Sequence, residues 1–189
     1  SYMFKYSARP GTKASEYSKG AKTNIGETAV CNLGSVNLAN HIRKNYKPNG
    51  DLASVDIDWT SLGSTIELAI RMLDNVIDIN FYPTQEAENS NLKHRPIGLG
   101  LMGLHDVLHI LDISIDSSEA VNFNDKLFEF YSNKAILASS NLSKERGEYS
   151  SFTGSLWDQN ILPIDSWNHL MEYRDRRKSH KTHFDWDVV

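Results

Sequence analysis

The chain has 189 residues, 40% of them hydrophobic and 23% charged, enough for one ordinary domain with a sizeable core. Lys and Arg number 20 against 24 Asp and Glu, a net charge of −4, so there is no basic excess to recruit nucleic acid or an anionic membrane surface. The apolar runs fall short of the roughly 18 residues a membrane helix needs, and the single cysteine excludes an internal disulfide framework and suits a reducing, cytoplasmic compartment.

In chain order, residues 1–25 read as an N-terminal arm or linker rich in Ser, Lys, Gly and Thr, with no apolar core of a secretory signal. "TAVCNL" follows, a short run with β-branched Thr28 and Val30 that suits a buried strand carrying Cys31. "SVNLANHI" continues that strand or begins a helix, and "NYKPNGDL" has the residues of a turn. Asp58 is placed to cap a helix through "WTSLGSTIELAIRMLDNVIDIN", where Leu62, Ile66, Ala69, Ile70, Leu73, Val76 and Ile77 recur at helical spacing. "TQEAENSNLKHR" reads as a polar connection, and "PIGLGLMGLHDVLHIL" as a glycine-rich apolar strand or turn leading into a helix. "DSSE" places Asp116 at a cap with Glu119 three residues on, opening a long helix that Gly147 can end. "YSSFTGSLWDQNILPIDSW" is loop-like, pinned by Phe152, Trp157 and Ile161, and the tail from His169 begins as a polar helix. Two buried-type strands with helix between them are the mark of a βαβ unit. Two strands close no barrel, so the alternatives are a mostly helical domain or a piece of something larger.

Several patterns invite chemistry. Gly98, Gly100 and Gly103 match G-x-G-x-x-G, but polar "NLKHRP" stands where the dinucleotide fingerprint needs a strand, so close backbone packing is the favoured use. His105 and His109 share a helical face at a spacing zinc sites use, yet no Glu follows His105 and no third ligand is evident; no metal site is assigned. His180 and His183 lie in a basic tail, and "RDRRK" (Arg174 to Lys178) reads as a solvated helix face. By residue type alone Cys31 is a small buried hydrophobe, with no Lys or Arg within three positions to acidify it.

Four blocks change that reading: "GETAVCNLGSVNLANHI", "NLKHRPIGLGLMGLHDVL", "SNLSKERGEYSSFTGSLWDQNILPIDSW" and "HFDWDVV". In order and spacing they resemble the catalytic large subunit of class I ribonucleotide reductase, from Gly26 to Val189; residues 1–25 do not share the resemblance. The resemblance implies that residues 26–189 are a partial, helix-rich segment of a ten-stranded α/β barrel. It implies that Cys31 is one of two redox thiols that reduce the ribose and leave as a disulfide, and that Leu33 lies near the bound nucleotide. The Asn-x-Cys-x-Glu radical loop does not precede Cys31 here, and a second redox cysteine is missing. The expectation is therefore a fragment of ribonucleoside-diphosphate reductase, from a split or truncated large subunit and inactive alone. The partners implied are the remaining large-subunit fragments, a small radical-generating subunit that carries the metal centre, a ribonucleotide, and a thioredoxin or glutaredoxin type reductant. No cofactor is expected in this chain. The alternatives are a catalytically silent structural or regulatory remnant and, last, a small dinucleotide-binding oxidoreductase.

Overall fold

The computed structural model describes residues 26–163 and 165. The arm at 1–25, the basic tail with His180 and His183, and "HFDWDVV" lie outside the described residues. The elements in order are β1 (Asn32–Asn37), a 3-10 turn (Leu38–His41), β2 (Ile42–Tyr46), β3 (Leu52–Ile57), α1 (Trp59–Ile79), α2 (Gln85–His94), β4 (Ile97–Met102), α3 (Leu104–Ile110) and α4 (Ser118–Arg146). This is a mixed α/β segment, and among the described residues its strands form two two-stranded sheets, β1 with β4 and β2 with β3, not a closed barrel. Contacts divide the described residues into two compact units, one of 33–73 and 99–142, the other of 26–32, 74–98, 143–163 and 165.

In the first unit, α1 starts where the sequence places it. Asp58 Oδ1 accepts the Ser61 N–H at 3.0 Å, satisfying a donor the first helical turn leaves unpaired. Leu62, Ile66, Ile70 and Leu73 are buried along one stripe of α1. Burial of each such side chain stabilises by roughly 1.5–3 kcal/mol. Leu38, Val107, Leu108 and Leu127 are buried in the same unit. The segment left open as strand or helix is neither throughout: it ends β1, tightens into the 3-10 turn, and enters an antiparallel hairpin. The hairpin pairs Ile42 with Ile57 and Tyr46 with Leu52, with a register shift at Asn45 and Tyr46. Gly50, at φ +89, turns it. That left-handed value costs glycine nothing.

The helix α4 begins one residue later than the sequence suggests. Its cap is Ser117, whose Oγ accepts the Ala120 N–H at 3.0 Å. Asp116 instead accepts a hydrogen bond from the Ser114 hydroxyl, which holds its carboxyl below the usual carboxylate range. Ser117→Ala should therefore lower stability by about 1 kcal/mol, read as a lower urea midpoint, whereas Asp116→Ala, which removes only an exposed hydrogen bond from Ser114, should lower the midpoint less. The reverse order would restore Asp116 as the cap. The helix stops at Arg146, with Gly147 at φ +90.

In the second unit, "TQEAENSNLKHR" is not a connection but the helix α2, capped by Thr84, whose side chain accepts the Ala87 N–H at 3.3 Å. Its first turn holds Glu86 and Glu88 and its last Lys93 and His94, each sign matched to its end of the helix dipole. Arg95 closes α2 at φ +45, a left-handed position usually left to glycine. Three ion pairs hold its side chain and that of Arg146: Arg95 donates to Asp78 at 2.7 and 2.9 Å and to Asp74 at 2.9 Å, and Arg146 donates to Asp74 at 2.6 Å. The segment 149–163 is turn-rich as read; Phe152, against Tyr149, and Ile161 are half-buried, and Trp157 is 41% exposed.

Candidate functional site

Cys31 is not on a strand. It ends an irregular stretch, 26–31, immediately before β1. The β-branched residues that suggested a strand are Thr28 and Val30, yet Thr28 spends its N–H on Glu86 O of α2, at 3.1 Å, and not on a neighbouring strand. Cys31 is partly buried, and its Sγ–H points to the Asn32 carbonyl at 3.6 Å. Burial pushes the thiol pKa up, so the sulfur keeps its proton at neutral pH. That state disfavours attack as a thiolate. Asn32 beside it accepts a long hydrogen bond from Asn80 at 3.5 Å, while its buried Nδ2 has no hydrogen-bond partner among the described residues.

The stretch that carries Cys31 is moored at its start by charge. Glu27 accepts hydrogen bonds from Lys93 Nζ at 2.6 Å and His94 Nε2 at 2.8 Å. The His94 contact first, then that of Lys93, holds the Glu27 carboxyl below its ordinary range. The other ring nitrogen of His94 shares a hydrogen bond of 2.7 Å with Ser151 Oγ, and the Ser151 N–H donates to Lys93 O at 3.3 Å. Nothing in the sequence flagged this cluster, because its members stand 67 and 57 positions apart. Only polar identity, without periodicity or motif spacing, marks them.

Leu33, the second residue of β1, is 73% exposed. Two of the three glycines of the G-x-G-x-x-G pattern, Gly100 and Gly103, serve close approach. A Cβ on Gly100 would meet Ser35 Oγ at 2.9 Å, and Gly103, at φ +80, is the residue before α3 and sits against the Asn37 side chain and Ala39. His105 and His109 are both exposed on α3. Among the described residues no group of three or more His, Cys, Asp or Glu is placed to hold a metal ion, and no helix is long and apolar enough to cross a membrane.

Comparison with known proteins adds the family. The family model described as "Ribonucleotide reductase, barrel domain" matches residues 10–189. The ribonucleoside-diphosphate reductase subunit alpha of Chlamydia pneumoniae is 53% identical over 148 residues, 78% of this chain and 13% of that protein. The large chain of the same enzyme from Neurospora crassa is 40% identical over 142 residues, covering 75% of this chain and 14% of the relative. The large subunit from Variola virus is 39% identical over 145 residues, 77% of this chain and 18% of the viral protein. The chain thus spans less than a fifth of the length of these relatives.

Proposed function

The chain belongs to the ribonucleotide reductase barrel-domain family, an oxidoreductase family, and from that premise we propose that it supplies one reducing thiol, Cys31, to the reduction of ribonucleotides. The observation that carries the reading is the place of Cys31, the chain's sole cysteine, part-buried immediately before β1. It ends the "GETAVC" block that resembles the family's redox strand.

In this reading Cys31 and a second thiol on another segment of the large subunit are oxidised together to a disulfide. Their two electrons and two protons reduce the 2′ carbon, and the 2′ hydroxyl leaves as water. A cysteine radical elsewhere in the assembled subunit removes the 3′ hydrogen first and returns it afterwards. The metal centre of a small subunit supplies the oxidising equivalent for that radical. A thioredoxin or glutaredoxin type dithiol reopens the disulfide for the next turnover. Leu33, exposed two residues beyond Cys31, offers apolar surface to the bound nucleotide. The setting is the cytoplasm, where such reductants keep thiols available.

Assembly is part of the proposal, because β1 and β4 pair only with each other among the described residues and both sheets keep open edges. Native mass spectrometry of the chain purified from its own source, without reductant, tests it. Co-purification with the remaining large-subunit segments, on the same polypeptide or on others, is expected. A lone folded chain that binds none of them would make it a silent remnant of the family.

A further inference from the structure

Three sequence blocks that are far apart in the chain meet at one cluster: Glu27 from "GETAVC", Lys93 and His94 from "NLKHRP", and Ser151 from "GEYSSF". The redox chemistry above uses none of these four side chains. What they share is position, since Glu27 lies four residues before Cys31 on a stretch with no helix or strand of its own. An irregular stretch has no repeating backbone hydrogen bonds to fix it, so its path depends on the few anchors it makes. Here the described anchors ahead of Cys31 are the Glu27 carboxylate on the last turn of α2 and the Thr28 N–H on Glu86 O. Behind Cys31, β1 begins at once.

We propose that Glu27 is a positioning residue for Cys31: its carboxylate, gripped by Lys93 and His94, fixes the stretch that sets the depth and direction of the thiol. The grip is itself braced. Nε2 of His94 donates to Glu27, which leaves Nδ1 to meet Ser151 Oγ, and Ser151 is tied to the α2 backbone through Lys93 O. With both ring nitrogens engaged, the imidazole cannot swing away from Glu27 without losing a second hydrogen bond. Lys93 contributes a second, charge-assisted hydrogen bond to the same carboxylate. The inference rests on the redox reading of Cys31 for its importance to turnover, but the geometry it describes can be measured without turnover.

Because Cys31 is the sole cysteine, the alkylation rate of the full chain with iodoacetamide reports this one thiol. The rate is measured against pH for the wild type, Glu27→Gln and Glu27→Ala, with circular dichroism establishing that each variant is folded. Glu27→Ala should react about tenfold faster near neutral pH, with its pH midpoint falling toward the roughly 8.5 of a free cysteine. Glu27→Gln, which keeps a hydrogen-bond acceptor without the charge, should fall between. Gly103→Ala, which lowers stability without touching the Glu27 cluster, is the control for general destabilisation and should keep the wild-type midpoint. Rates and midpoints equal to the wild type in both folded variants would overturn the proposal, as would a wild-type thiol that already reacts like a free peptide. Should Glu27→Ala not fold, the Gln variant decides alone. These outcomes are independent of whether Cys31→Ser retains turnover, so failure of the positioning role and failure of the redox role are told apart.

Discussion

Cys31→Ser is expected to reduce multi-turnover deoxyribonucleotide formation by the assembled enzyme to background. A serine hydroxyl cannot form a disulfide and cannot supply the two-electron reduction that a thiol pair provides, so no second chance exists at this position. The loss should be chemical and not structural. Among the described residues Cys31 makes one weak hydrogen bond, its Sγ–H to the Asn32 carbonyl at 3.6 Å, and a serine of similar size replaces it at a cost of about 1 kcal/mol or less. Binding of the remaining subunit segments and of the nucleotide should therefore survive the substitution. The check is a steady-state assay of deoxyribonucleotide product beside a pull-down of the partner segments. Full turnover by the serine variant would remove Cys31 from the chemistry altogether.

Gly103→Ala should produce the largest stability loss among the small substitutions. Gly103 holds φ +80, where an L side chain costs about 1–2 kcal/mol. A Cβ there would also stand 2.9 Å from Asn37 Oδ1 and 3.5 Å from the Ala39 nitrogen. Asn37 Oδ1 is already committed, accepting the Ala39 N–H at 3.1 Å to start the 3-10 turn. Pushing it aside forfeits that cap, adding about 1 kcal/mol. The sum, about 2–3 kcal/mol, is read as a lower urea midpoint. Gly50 supplies the control. It has a comparable φ of +89 but nothing within 4 Å of a Cβ, so Gly50→Ala should carry the backbone cost alone. Equal losses at the two positions would show that the Asn37 contact contributes nothing.

What was legible in the sequence follows the range of the forces involved. The face and start of α1 could be read from Leu62, Ile66, Ile70 and Leu73 and from Asp58, because a helix three to four residues deep in period states its own pattern. The turn at Gly50 and the stop at Gly147 were equally local. The helix α2 was hidden because most of its residues are polar, so no apolar stripe announces it; Thr84 and the dipole-matched charges carry it instead. Asp116 and Ser117 are both good caps, and only the backbone shows which of them accepts from Ala120. β-branched neighbours suggest a strand for Cys31, but the Thr28 N–H bonds to α2, a partner 58 residues away. The glycine pattern illustrates the reverse case, in which a motif with a known use in phosphate binding is explained by Ser35 and Asn37 packed against Gly100 and Gly103. As for the site, the single cysteine was visible at once, whereas the Glu27 cluster exists only after folding joins segments that share no spacing rule.

Oxidation of the Cys31 sulfur during ribonucleotide reduction is read by peptide mass mapping of the assembled enzyme after a single turnover without external reductant, with free thiols blocked before digestion. Cys31 should be recovered in a disulfide with a cysteine of another large-subunit segment, in an amount equal to the deoxyribonucleotide formed. Product formed in full while Cys31 is recovered as the blocked free thiol would contradict it.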